Sequence, residues 1–177
     1  MIRFGKIMEK DLGMILNWRM KPEVSQYLLT DVEYDMERQR KWFKKISEDD
    51  TCRYWLVYYK DTPIGVINLA AIDRINLQCS AGYYIGDMDH RQLGAMIPPY
   101  LYNHVFREMK FNRIYGEVMA GNDVILQIHK MHGFRQLGIH RKHVLKNGMF
   151  HDVIPIELSS ESWLKEKRYE RYIAHFE

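Results

Sequence analysis

The chain has 177 residues, 46% of them hydrophobic, 13% aromatic and 28% charged, with 26 Lys and Arg against 23 Asp and Glu. That length suits one domain, and the mixture excludes a wholly disordered, collagen-like or coiled-coil chain. A formal charge of +3 tolerates small anionic ligands but falls short of a dedicated nucleic-acid binder, and two cysteines make no disulfide framework.

The opening residues Met1-Ile2-Arg3-Phe4-Gly5-Lys6 contain no apolar signal core, and no run is long enough to span a bilayer. A cytoplasmic protein without a membrane partner is expected. Residues 2–7 read as a short strand. Leu12, Ile15, Leu16 and Met20 then recur at helical spacing, and Pro22 ends that helix. A second helix is expected from about Asp35 to Ile46, carrying Met36, Trp42, Phe43 and Ile46. Arg53 to Tyr59 (RYWLVYY) is aromatic and β-branched and suits a pleated surface. Two more strands follow, roughly 64–72 and 77–85, which makes an antiparallel meander.

Residues 86–94 (GDMDHRQLG) form a polar loop bounded by glycines. Ile97, Leu101, Val105 and Met109 lie on one face of a helix, with Pro98 and Pro99 tolerated in its first turn. A strand at 113–119 precedes a helix from Asp123 to His132, ended by Gly133 at a left-handed cap. Val124, Ile128 and Met131 are expected to be the buried stripe of that helix, with His129 one position off it. Strands at 134–145 and 149–158 meet at Asn147-Gly148, a strong hairpin signal. The tail opens on the cap Ser159-Ser160-Glu161 and carries an apolar stripe of Trp163, Tyr169, Tyr172, Ile173 and Phe176. The sum is an α/β (α+β) domain whose strand–helix–strand unit at 77–119 implies one parallel pair in a mostly antiparallel sheet.

Chemistry has several candidate carriers. The loop at 87–96 leads into a helix, whose N-terminus can receive a phosphate, and Gly94 would let the backbone come close. A plain connection fits it equally. Asn122 can be a helix cap, and His129 a packing residue. On the strand 113–119, Glu117 shares a face with Arg113, Tyr115 and Met119. A carboxylate there is costly unless paired or functional, so it is a candidate base acting through water, or else a partner of Arg113 or solvent. His129/His132 and His140/His143 have metal-like spacing. In a strand, however, residues three apart point to opposite faces, so no metal is expected.

The stretch Asn122-x-x-Ile125-x-x-Ile128-His129-Lys130-x-x-Gly133-Phe134 resembles the acyl-CoA-binding helix of the GNAT acetyltransferase superfamily. Arg91-Gln92-Leu93-Gly94-Ala95-Met96 resembles its pyrophosphate loop, R/Q-x-x-G-x-G/A, with Met96 in place of the usual small residue. The resemblance implies acetyl-CoA as cosubstrate and no metal. It implies cofactor contacts from the loop residues, from Asn122 and Ile125, and from the strand end at Tyr84 and Ile85, where a backbone N–H would polarise the thioester carbonyl. It implies direct attack by an amine without an acyl-enzyme. His129 stands where the family commonly has the tyrosine that protonates the departing thiolate. A histidine of ordinary pKa, about 6.5, can also donate a proton.

The N-terminal half, with Leu16-Asn17-Trp18-Arg19, Pro22-Glu23-Val24 and Gln39 to Phe43, is similar to the branch holding N-terminal-protein, spermidine and nucleotide-sugar acetyltransferases. Glu117-Val118-Met119 followed by Asn122 most resembles members acting on a UDP-linked 4-amino-4,6-dideoxy sugar in pseudaminic acid biosynthesis. On that reading Arg19 pairs with phosphate, and Trp18, Tyr27 and Trp42 stack on sugar or uracil, with Gln39 as a further contact. Residues 1–80 would be the acceptor half, 81–134 the acetyl-CoA core and 135–177 the C-terminal hairpin and helix. A polyamine or protein N-terminus as acceptor, or a non-catalytic acyl-CoA-binding module, remain alternatives. The aromatic tail and hairpin edge offer a homodimer contact.

Overall fold

The computed structural model describes residues 1–30 and 33–177. Four strands run as an antiparallel meander: β1 (Ile2–Lys6), β2 (Arg53–Tyr59), β3 (Thr62–Asp73) and β4 (Gln78–Ile85). After exposed Arg53, β2 is apolar and aromatic because the sheet is covered on both faces. Its Trp55 and Val57 enter the larger core while Leu56, pointing the other way, enters the smaller one. Between β1 and β2 lie α1 (Leu12–Met20), the short α2 (Pro22–Ser25) and α3 (Met36–Glu48). α1 buries Leu12, Ile15 and Leu16, and its chain turns at extended Lys21 before Pro22 opens α2 at the position where a missing N–H costs nothing.

After β4 the chain crosses over through α4 (Pro98–Asn103), which continues as one π turn at His104–Glu108, into β5 (Arg113–Met119). β5 is parallel to β4, as the inserted helix requires. Then come α5 (Asp123–Met131), β6 (Arg135–Gln136), β7 (His140–Lys146), β8 (Met149–Ser159) and α6 (Ser160–Leu164). The sheet order is β1-β2-β3-β4-β5-β8-β6, with β7 also on β8. Asn147 and Gly148 both take positive φ, 49° and 74°, as the tight hairpin turn demands.

Four expectations need correcting. The strand foreseen at 134–145 is broken into β6 and β7, both lying along β8. Within β7, the four steps from His140 to Val144 are matched by only two on β8, from Val153 to His151, so the strand bulges with Lys142 at φ 49°. The bulge brings His140 and His143 together, rings 4.8 Å apart, where plain alternation would have parted them. The inward side of α5 carries Ile125, Leu126 and His129, followed by buried His132, whereas Val124 and Met131 are exposed. In the tail, Trp163 and Tyr169 are buried and stacked but Ile173 is exposed. There the chain turns back so that Phe176 bridges to Phe4 on β1.

Candidate active site

β4 and β5 are bonded only at Gln78–Ser80 against Arg113–Tyr115. Beyond that point each keeps its outer neighbour, β4 on β3 to Ile85 and β5 on β8 to Met119, so the two strands part. The wedge is the mouth of a cavity of about 740 Å³, with Ala81–Ile85 on one wall and Glu117–Met119 on the other. Main-chain groups on the parted inner edges are left for a ligand to satisfy. Tyr84 and Ile85 line it.

At one end Arg91 and Gly94 reach the cavity. Their loop is wound into a 3-10 helix at Met88–Leu93, capped by the Asp87 carboxylate, which also holds His90 at 2.8 Å. Gly94 is not needed for an unusual φ. A Cβ there would make a tight contact, 3.3 Å from the Arg91 carbonyl. Gln92, Leu93, Ala95 and Met96 do not line the cavity. Leu93 packs into the core, Gln92 and Met96 are exposed, and the Ala95 carbonyl accepts from His132 Nε2 at 3.0 Å. Pro98 and Pro99 remove the first two N–H groups of α4, so an anion here must rely on the loop and Arg91 rather than on the helix start.

Asn122 occupies the N-cap position of α5, yet its side chain makes no capping bond and lines the cavity beside Ile125 and His129. His129 packs edge-on against Phe134, and its buried Nδ1 has no partner among the described residues. Burial, helped by neighbouring His132, pulls its pKa down to about 4. His132 is likewise lowered to about 4 by burial, against the raising effect of its bond to Ala95. His129 is therefore neutral near pH 7, whereas at its ordinary pKa about a quarter of it would be protonated.

Glu117 is not paired with Arg113, which bridges to Glu157 at 3.3 Å. Its side chain is 42% exposed on the cavity wall, 3.8 Å from His143 Nε2. Arg19, Tyr27 and Trp42 also line the cavity, with Trp42 edge-on to Tyr54. Arg19 makes no ion pair among the described residues. Its charge still lowers the pKa of Tyr54 and Tyr84, against the stronger upward push of burial. Two expected contacts fail. Gln39 is a buried residue of α3 that does not line the cavity, and its Nε2 has no partner among the described residues. Trp18 is buried against Gly86, where a Cβ would lie 2.2 Å from the indole.

The sequence does not single out Glu23 or Asn68 as cavity residues, or Tyr83, whose buried hydroxyl on the wall has no partner among the described residues. Nothing in Gly82-Tyr83-Tyr84-Ile85 separates the wall tyrosine from a packing one. The loop before α3 is held from afar: the buried ammonium of Lys146 on β7 donates to the carbonyls of Ser25 and Leu28. Tyr27 also reaches the Gly121 carbonyl at 3.4 Å.

The sequence profile of the Acetyltransferase (GNAT) domain matches residues 2–135. Acetyltransferase PseH of Campylobacter jejuni subsp. jejuni serotype O:23/36 (strain 81-176) is 24% identical over 131 residues, 74% of this chain and 81% of that one. The probable N-acetyltransferase YjcK of Bacillus subtilis (strain 168) is 28% identical over 151 residues, 81% of this chain and 83% of its own. Among solved structures, spermidine N-acetyltransferase from Vibrio cholerae in complex with CoA and spermine superposes with a TM-score of 0.84 at 18% identity, covering 92% of this chain and 98% of that one. At that identity the likeness speaks for the fold alone. No helix among the described residues is long and apolar enough to cross a membrane.

Proposed function

The chain belongs to the GNAT acetyltransferase family and is an acetyl-CoA-dependent acetyltransferase, and from that premise we propose that its acceptor is the 4-amino group of a UDP-linked 4-amino-4,6-dideoxy sugar, on the route to pseudaminic acid. The observation that carries this reading is Arg19. It stands at the acceptor end of the cavity without an acidic partner among the described residues, beside Tyr27, Trp42 and Tyr54. A guanidinium suits a diphosphate, and aromatic faces suit a pyranose or a uracil. The sequence similarity around Glu117-Val118-Met119 and Asn122 points the same way.

In this reading residues 1–80 hold the acceptor, 81–134 hold acetyl-CoA and 135–177 supply the closing hairpin and helix. Acetyl-CoA lies in the wedge between β4 and β5, with Arg91 and Gly94 at its pyrophosphate and Asn122 and Ile125 along it. Attack on the thioester carbonyl needs a neutral amine, and Glu117, reached through water, takes the proton. The oxyanion is met by main-chain N–H groups of the parted strand near Ile85. Neutral His129 keeps one N–H, and that hydrogen bond steadies the sulfur as the C–S bond breaks. The proton released by the amine ends on the thiolate, so the products are an amide and CoA thiol.

A second reading, a polyamine acceptor, has its own support: Glu23, Glu117 and Asp123 all line the cavity. The deciding experiment follows thiol release from acetyl-CoA with UDP-4-amino-4,6-dideoxy-N-acetyl-altrosamine, spermidine and a peptide pool in parallel. Release with the nucleotide sugar alone is expected. Release with spermidine or peptide alone overturns the acceptor and leaves the enzyme class standing.

A further inference from the structure

We propose that Glu117, His140 and His143 form a binding site for one borderline divalent transition-metal ion, zinc being the reference case, at the rim of the cavity. These are the side chains among the described residues whose ligand atoms gather for a metal, all lying within 4.8 Å of one another. His143 Nε2 is 3.8 Å from Glu117 Oε1, and the two imidazole rings are 4.8 Å apart, tilted by 49°. Donors about 2.0–2.2 Å from a tetrahedral ion sit roughly 3.4 Å from each other. All three side chains are exposed, so rotation about their own χ angles supplies the remaining ångström.

Backbone geometry, not chance alternation, creates the pairing. His140 and His143 share a side because of the bulge at Lys142, whose left-handed φ of 49° is unusual outside glycine. The bulge is braced: Lys142 N–H donates to Asp152 Oδ1 at 2.8 Å, and Arg141 donates to Asp152 Oδ2 at 2.7 Å. Neither histidine ring has a hydrogen-bond partner among the described residues, so its lone pair is available. Two imidazoles and one carboxylate favour zinc, cobalt, nickel or copper over calcium and magnesium. Three protein ligands leave further positions to water.

The site shares Glu117 with the catalytic reading above. A bound ion takes the carboxylate lone pairs that would accept the amine proton and places positive charge at the rim. Binding is thus coupled to inhibition, and the inhibition, unlike the binding, rests on Glu117 being the base.

The test starts from chelator-stripped protein titrated with zinc by calorimetry and with cobalt by visible absorption. One ion per chain is expected, with the absorption of a four- or five-coordinate cobalt site. His140→Ala and His143→Ala should each weaken zinc binding by at least about tenfold. With chelator present His140→Ala should turn over like wild type, and with zinc present it should resist inhibition. Zinc uptake that survives the double variant, or no uptake at all, overturns the site. Uptake that depends on both histidines but leaves wild-type turnover unchanged upholds the site and removes Glu117 as the base.

Discussion

His129 makes the protein's stability depend on mildly acidic pH in a way that can be worked out beforehand. In the folded chain its pKa lies at about 4 because burial disfavours the imidazolium. In the unfolded chain it returns to about 6.5. Between these values the unfolded state binds the proton and the folded state does not, so stability is lost as pH falls through the window from about 6.5 to about 4. At pH 5 the unfolded form is favoured by the ratio of the two binding polynomials, about thirtyfold, which is about 2 kcal/mol for this one side chain. His129→Leu removes the titration and keeps an apolar group against Phe134. Urea unfolding followed by tryptophan fluorescence at about pH 5 and about pH 7.5 gives a pH-dependence for each protein, and carboxylates common to both cancel in the difference. Wild type should lose about 2 kcal/mol more than the variant between the two pH values. Parallel losses would show that His129 ionises alike in both states, and would refute both its burial and the neutral role assigned to it in catalysis.

Three further outcomes are expected. Glu117→Gln should lower kcat/KM for the acceptor by about 10²–10⁴-fold in steady-state assays, the range of a lost general base, and leave acetyl-CoA affinity in place. Arg19→Ala should raise KM for a phosphate-bearing acceptor by roughly 10- to 150-fold, the equivalent of a charge-assisted hydrogen bond of about 1.5–3 kcal/mol, while sparing spermidine. Gly86→Ala drives a methyl to 2.2 Å from the Trp18 ring. The overpacking should cost about 1–3 kcal/mol, read as a lower denaturation midpoint.

Local signals in the chain were strong where one force dominated. Arg53–Tyr59, the Asn147-Gly148 turn and the crossover between β4 and β5 all stand where the residues placed them. The α5 face is hard to read because its apolar residues serve two masters: Leu126 packs on the core, Val124 and Ile128 line the cavity, and Ile125 does both. Periodicity reports apolar positions and does not say whether protein or ligand will cover them. The bulge at Lys142 was illegible because Asp152, ten residues away on the facing strand, holds it. Gln39 enters the acceptor site only through the resemblance of the stretch Gln39 to Phe43; its side chain is buried within the packing of α3 and does not line the cavity, whereas Trp42, three residues on, does. Of residues 91–96, Arg91 and Gly94 line the cavity and the other four do not.

Lys146 gives the loop before α3 two addresses in the gene. The loop at Ser25 and Leu28 draws its shape from a residue encoded more than a hundred codons downstream. Recombination that exchanges the N-terminal segment alone would part the loop from its clasp, stranding a buried ammonium against carbonyls it no longer fits. Grafts meant to retarget the acceptor should therefore carry the 140–150 hairpin with the 21–30 loop, and lineages that changed one are expected to have changed the other.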